Sequence, residues 1–359
     1  MSPTTLIDEW VRPEVRALSG YYVPDGSDVI KLDAMENPYR WPNDLRQACL
    51  ERLEKVSMNR YPDPSPHALK ELLRETMEIS HGMEILLGNG SDELIQLIGL
   101  MLQGPSRCIL APEPTFAMYR LIAIALGLRF VGVPLKNDFS LDGAAMLKAI
   151  REYRPAAIFL SYPNNPTGRL FDSGDISAIL AETPGLVIID EAYTWFAKTS
   201  KMDWLHDHPN LIVLRTLSKL GFAGLRLGFA VGHPAWIAEM NKLRLPYNIN
   251  TLTQVSATLA LQNIGVFEEQ VAWILRDREI LFHELAAMDG ITAWASHANF
   301  ILFRAGTKCA EEIHAKLRES NILVKNLHDS HPLLKNCLRV TVGKPHENRA
   351  FLDTLQALL

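Results

Sequence analysis

EILLGNGSDELIQLIGLMLQGPSRCILAP, residues 84–112, holds a complete structural unit. EILLG (84–88) is short, apolar and closed by glycine, which reads as a buried strand. GNGSDEL turns the chain, ELIQLIGLML (93–102) places apolar residues at helical spacing, and RCILAP (107–112) is a second buried strand. The same order recurs. AAIFLSY (156–162), LVIID (186–190) and LIVLRT (211–216) read as further strands, and MYRLIAIALG (118–127) and AAMLKAIREY (144–153) as helices. Strands that are apolar throughout and alternate with helices predict an α/β fold with a mainly parallel sheet covered on both faces. Beyond Asn250 the pattern changes to helical stretches at 251–261 and 266–288, then the strand-like FILFR and CLRVTVG flanking the helical EEIHAKLRES. That composition is α+β. The expected division is a large unit over 39–250 and a smaller α+β unit made of 251–359 with the N-terminal arm, 1–38.

The 359 residues are 48% hydrophobic and 21% charged, as in ordinary globular proteins. A formal charge of −5 with no cluster of Lys and Arg argues against nucleic acid and anionic membrane as partners. Small molecules are the expected partners. Cys49, Cys108, Cys309 and Cys337 lie far apart without a CxxC pair, which predicts neither a disulfide framework nor a metal site and fits a reducing cytoplasm. Asp8, Glu9 and Glu14 stand where an export signal would need a basic start and an apolar run. The apolar stretch 94–102 is about half the roughly 20 residues a bilayer crossing requires.

Ligands of open parallel sheets bind beyond the carboxyl ends of the strands. Four expected strands lead into chemically loaded segments: GNGSDEL, PNNPTG, DEAY and LSKLGFAGLRLG. In the first, Gly90 and Ser91 open a helix, whose free N–H groups and positive dipole end favour a phosphate. By itself that turn is equally compatible with Ser91 or Asp92 acting as a plain N-cap. In the last, Ser218, Lys219 and Arg226 fall within a glycine-rich frame. A lysine in apolar and basic surroundings loses proton affinity and becomes fit to form an imine with an aldehyde, while Arg226 offers a forked donor for phosphate. Asp190, ending a buried strand, needs a partner, and a protonated ring nitrogen would serve. Tyr193 and Asn165 can each hydrogen-bond a ring oxygen.

GNGSDEL, PTF, PNNPTG, DEAY and SKLGFAGLRLG together resemble the fold type I pyridoxal-phosphate aminotransferases over nearly the whole chain. The resemblance implies a large domain built on a sheet of the seven-stranded type, with pyridoxal 5'-phosphate as cofactor. Lys219 would hold the cofactor covalently, Asp190 would pair with its ring nitrogen, and Tyr193 and Asn165 would contact its ring oxygen. Gly90, Ser91, Asp92, Ser218 and Arg226 would cradle its phosphate, and Phe116 would stack on the ring. Lys219, Asp190 and Tyr193 are the implied catalytic residues.

Narrower motifs resemble the subgroup that acts on histidinol phosphate: LSGYY (18–22), LDAMENPY (32–39), RYPD (60–63), PTFAMY (114–119), RLPYNIN (244–250), SHANFILF (296–303) and CLRVTVGKPHEN (337–348). The likeness implies ping-pong transamination between L-histidinol phosphate and 2-oxoglutarate, yielding glutamate. It also implies a homodimer in which Tyr61 reaches the cofactor phosphate of the partner subunit. Tyr21, Asn37, Asn165, Lys325 and Arg339 are the implied substrate-binding residues, Arg339 accepting a phosphate from one substrate and a carboxylate from the other. Aromatic amino-acid aminotransferases and threonine-phosphate decarboxylases carry similar motifs, and a non-catalytic cofactor sensor is a further alternative. Three departures stand out: the spacing from Lys219 to Arg226 is one residue shorter than the common pattern, Met35 replaces a usual Asn, and Lys325 replaces a frequent Arg.

Overall fold

The computed structural model describes residues 3–20, 24, 26, 28–306 and 308–359. In chain order the strands are β1 (Ile30–Leu32), β2 (Glu84–Asn89), β3 (Cys108–Glu113), β4 (Arg129–Pro134), β5 (Ala157–Ser161), β6 (Leu186–Asp190), β7 (Leu211–Thr216), β8 (Leu227–Gly232), β9 (Ile291–Ala293), β10 (Phe300–Ala305), β11 (Ile322–Asn326) and β12 (Cys337–Thr341). Seven of them form one sheet in the order β2-β8-β7-β6-β5-β3-β4. Its pairs are parallel except for β8, which runs antiparallel to both neighbours and so leaves β2 aligned with the rest. The mainly parallel α/β sheet expected from the sequence is therefore present.

Side chains on successive strand residues point to opposite faces. In β6, Ile188 joins a core with Leu94, Ile98, Ile122 and Met240 from the helices Ser91–Leu102, Met118–Ala125 and Pro234–Leu243. Val187 and Ile189 join the larger core on the other face, which continues into Phe300, Leu302, Leu338 and Val340 of a second sheet. That sheet has five strands in the order β1-β11-β12-β10-β9, with only β1–β11 parallel. The helix Ile264–Ala286 packs against β9 and β10 of this sheet and also against the turn that follows β7.

β2, β3, β5, β6 and β7 end on the same edge, at Asn89, Glu113, Ser161, Asp190 and Thr216. This edge faces the five-stranded sheet, and the chain's chemically loaded segments converge there. Among the described residues no helix is long and apolar enough to cross a membrane.

Candidate active site

A cleft of about 490 Å³ opens at this edge. Its walls contain Ser91, Asp92, Phe116, Asn165, Asp190, Tyr193, Ser218, Lys219 and Arg226, all singled out from the sequence. They also contain Met35, noted in the sequence only as a departure from the subgroup's usual Asn, and Ser161, Ala192 and Thr216, which were not singled out. Ser161 and Thr216 are the final residues of β5 and β7, so the strand-end rule that found Asp190 could have found them.

Lys219 sits in a tight turn, Ser218–Phe222, made possible by Gly221 at φ 131°. Its Nζ donates to Ala34 O at 3.2 Å. Burial pushes its pKa down to about 8, with the Arg339 and Arg226 guanidinium groups adding to the effect and Glu36 and Asp92 opposing it. More of the amine is therefore neutral near physiological pH than for an ordinary lysine.

Asp190 is buried at the end of β6, and burial raises its pKa to about 6. Two donors work against that rise: Tyr119 Oη–H bonds Oδ2 at 2.7 Å, and the Ala192 N–H bonds Oδ1 at 3.1 Å. Tyr119 was missed as a site residue. PTFAMY points to Phe116 and to the subgroup, and nothing local shows that its last residue meets Asp190.

Asn165 links the cleft's centre to its rim. Its Nδ2 donates to Tyr193 Oη at 3.1 Å, and its Oδ1 accepts from Arg339, which also donates to Asp33 O at 3.0 Å. Burial holds the Tyr193 phenol far above its ordinary range, so it stays protonated and available as a donor.

At the other end, Gly90 (φ 79°) caps the helix Ser91–Leu102. A Cβ on Gly228 would lie 2.7 Å from Gly90 C and Ser91 N, so only glycine lets β8 pass this close to the helix start. Arg226 reaches the same point: a Cβ on Gly90 would lie 2.6 Å from its guanidinium, and Asp92 lies 3.5 Å away. The shorter spacing between Lys219 and Arg226 thus still brings Arg226 to the cleft, in a left-handed backbone conformation (φ 51°). Ser218 is fixed by Thr216, whose Oγ1 accepts its N–H at 3.1 Å.

A second cleft of about 1020 Å³ adjoins the first and shares Met35, Phe116 and Asn165 with it. Lys325 and Arg339 line it together with the ion pair Glu113–Arg120 and His331. Met35 adopts φ 53° and is held by Thr341 Oγ1 at its N–H and Asn299 Nδ2 at its carbonyl.

Two expected site residues lie elsewhere. Asn37 lines neither cleft. It donates to Leu220 O and Gln270 Oε1, each at 2.9 Å, and accepts the Tyr39 N–H, so it braces the turn that carries Lys219. Tyr61 is 81% exposed and stacks on Tyr247 with ring centroids 4.5 Å apart. Tyr21 falls outside the described residues. Among the described residues, Cys309, Glu311 and His328 approach one another at metal-ligand spacing. His328 Nδ1 already accepts the Asn336 N–H, which leaves Nε2 protonated toward Glu311 and ill-suited to coordination.

The first cleft can therefore accommodate a planar group with three handles: a ring nitrogen against Asp190, a ring oxygen against Tyr193 and Asn165, and a phosphate at the helix start among Ser91, Ser218 and Arg226. An aldehyde would meet the amine of Lys219.

Comparison with known proteins places the whole chain in one family. The model of the family "Aminotransferase class I and II" matches residues 27–355. The chain is 54% identical to histidinol-phosphate aminotransferase 2 of Nitrosococcus oceani over 98% of both chains. It is 48% identical to histidinol-phosphate aminotransferase 1 of Ralstonia nicotianae, over 99% of this chain and 96% of the other. Among solved structures, the histidinol-phosphate aminotransferase of Sinorhizobium meliloti in complex with pyridoxal-5'-phosphate shares the fold with a TM-score of 0.86 at 22% identity, covering 97% of this chain and 98% of that one. With the match spanning both sheets and the cleft between them, this chain belongs to the aminotransferase class I and II family.

Proposed function

We propose that the chain transfers an amino group from L-histidinol phosphate to 2-oxoglutarate with pyridoxal 5'-phosphate as cofactor, giving imidazole acetol phosphate and L-glutamate in histidine biosynthesis. The observation that carries this reading is the convergence of an amine of lowered pKa, a buried carboxylate and a helix start with Ser91 and Arg226 in one cleft, joined to a second cleft lined by Lys325 and Arg339. Full-length relatives named for histidinol phosphate support the substrate.

The cofactor, when bound, supplies an aldehyde for the lysine and a ring that accepts the electron pair left on the substrate. Lys219 Nζ would hold it and, once free, would take the proton from the substrate's α-carbon. Asp190 keeps a proton on the ring nitrogen. Tyr193 and Asn165 orient the ring oxygen, and Phe116 covers a ring face. Gly90, Ser91, Asp92, Ser218 and Arg226 hold the phosphate end, where the dipole of the helix adds to the guanidinium. Arg339 and Lys325 hold the substrate's phosphate or, in the second half-reaction, a carboxylate.

The same reading makes the protein a cytoplasmic homodimer. Tyr61, Met58, Leu245 and Tyr247 offer exposed apolar surface for a second copy, with Tyr61 of the partner subunit completing the phosphate site. It also divides the chain into a cofactor-binding unit over 39–250 and a second unit of 1–38 and 251–359. The test is to supply purified protein and cofactor with L-histidinol phosphate and 2-oxoglutarate and to assay glutamate. Turnover well above that with phenylalanine or threonine phosphate, and without CO₂ release, supports the reading. Glutamate formation that is no faster with histidinol phosphate contradicts it.

A further inference from the structure

We propose that Tyr119 is a positioning residue that keeps Asp190 ionised against the cofactor's ring nitrogen and ties that contact to the residue stacked on the ring. The proposal rests on the reading of the first cleft as a pyridoxal-phosphate site. Asp190 is removed from water, and burial, Asp92 and Glu191 all favour its protonated form. A carboxylate in that position competes with the ring nitrogen for one proton, and whichever is more basic keeps it. The neutral alternative, a carboxylic acid against an unprotonated ring, would weaken the ring as an electron acceptor.

The chain places two donors on the carboxylate to decide this competition. The Ala192 N–H is part of the backbone and present whatever the side chain. Tyr119 is the specific one, at 2.7 Å from Oδ2. Its phenol is fully buried and pushed well above its ordinary pKa, first by burial and then by Asp190 itself. It therefore keeps its proton and donates a hydrogen bond to the carboxylate, while Ser161 also hydrogen-bonds the phenol oxygen. Donation lowers the basicity of Asp190 and moves the shared proton toward the ring.

Tyr119 is also locked in place on both sides. It stacks on Phe159 of β5 with centroids 4.8 Å apart at 24°, and it meets Phe116 edge to face at 5.5 Å and 86°. Phe116 lines the cleft, whereas Tyr119 stands behind it. One side chain at the start of the helix Met118–Ala125 thus sets the position of both the ring's covering residue and its nitrogen partner.

Tyr119→Phe removes one oxygen and leaves the stacking intact. The apo-protein, wild type and variant, is reconstituted with pyridoxal phosphate labelled with ¹⁵N in the ring, and the ring ¹⁵N shift and cofactor affinity are measured, with circular dichroism confirming the fold. The wild type should show a protonated ring nitrogen. Tyr119→Phe should shift the resonance toward the unprotonated value and weaken cofactor binding on the order of tenfold, as loss of one hydrogen bond to a charged group does. Tyr119→His, which keeps a ring donor, should recover part of both effects and serves as the test if the Phe variant does not fold. An unchanged shift and affinity in a folded variant would overturn the proposal. A wild-type protein that takes up no cofactor would instead overturn the reading of the cleft on which it rests.

Discussion

Lys325 and Arg339 stand directly opposite each other in the antiparallel register of β11 and β12, and both line the second cleft. Burial lowers the pKa of Lys325, and the neighbouring guanidinium lowers it further, while Asp33 opposes both. Both present cationic groups to the second cleft, where an anionic group of a substrate can pair with them. Arg339→Ala should therefore lower kcat/KM for both substrates by roughly 100-fold, since a buried charged contact contributes about 3 kcal/mol. Lys325→Ala should cost about tenfold, because an ammonium offers a point charge rather than a fork. Steady-state kinetics of each variant with each substrate checks both numbers.

The lowered pKa of Lys219 has a visible consequence in the apo-protein. Its amine is charged below about 8 and neutral above, so its rate of capture of pyridoxal phosphate should rise with pH through a midpoint near 8. An ordinary lysine would titrate near 10.5. Arg339→Met removes a nearby positive charge and should move the midpoint upward. Stopped-flow absorbance across pH 6 to 11 measures it.

Glu191, next to Asp190, has a fully buried side chain and forms an ion pair with Arg215 at 2.9 Å, while Ser200 Oγ and the Lys201 N–H also donate to it. Removing one member of a buried pair strands the other. Arg215→Met should lower unfolding stability by about 3–5 kcal/mol in urea titrations. A loss under about 1 kcal/mol would mean that the charge is solvated or neutralised after all.

Asn37 braces the Lys219 turn through Leu220 O and Gln270 Oε1. Asn37→Ala should reduce kcat and thermal stability with little change in KM for histidinol phosphate. A tenfold rise in KM at unchanged stability would restore the direct substrate contact implied by the family resemblance.

How far the sequence reads depends on how local the signal is. β6 and β7 are buried over their whole length, so LVIID and LIVLRT announce themselves and agree with the observed bounds. β8 does not, because Gly228 breaks the apolar run of LGFAVG and Gly232 ends it, yet Gly228 is what permits its close passage by the helix start. β4, RFVGVP, is similarly masked by Gly132 and Pro134. Lys219, Asp190, Asn165 and Arg226 were legible because each follows a strand within a short motif. Tyr119 and Asp190 are separated by 71 positions, and Asn37 and Leu220 by 183, so those hydrogen bonds exist only once the chain has folded.

The amine at position 219 is expected to join covalently to the cofactor. Holoprotein reduced with borohydride, digested and analysed by mass spectrometry should carry the pyridoxyl mass on the peptide containing Lys219. Label on another lysine, or on none, would contradict the account.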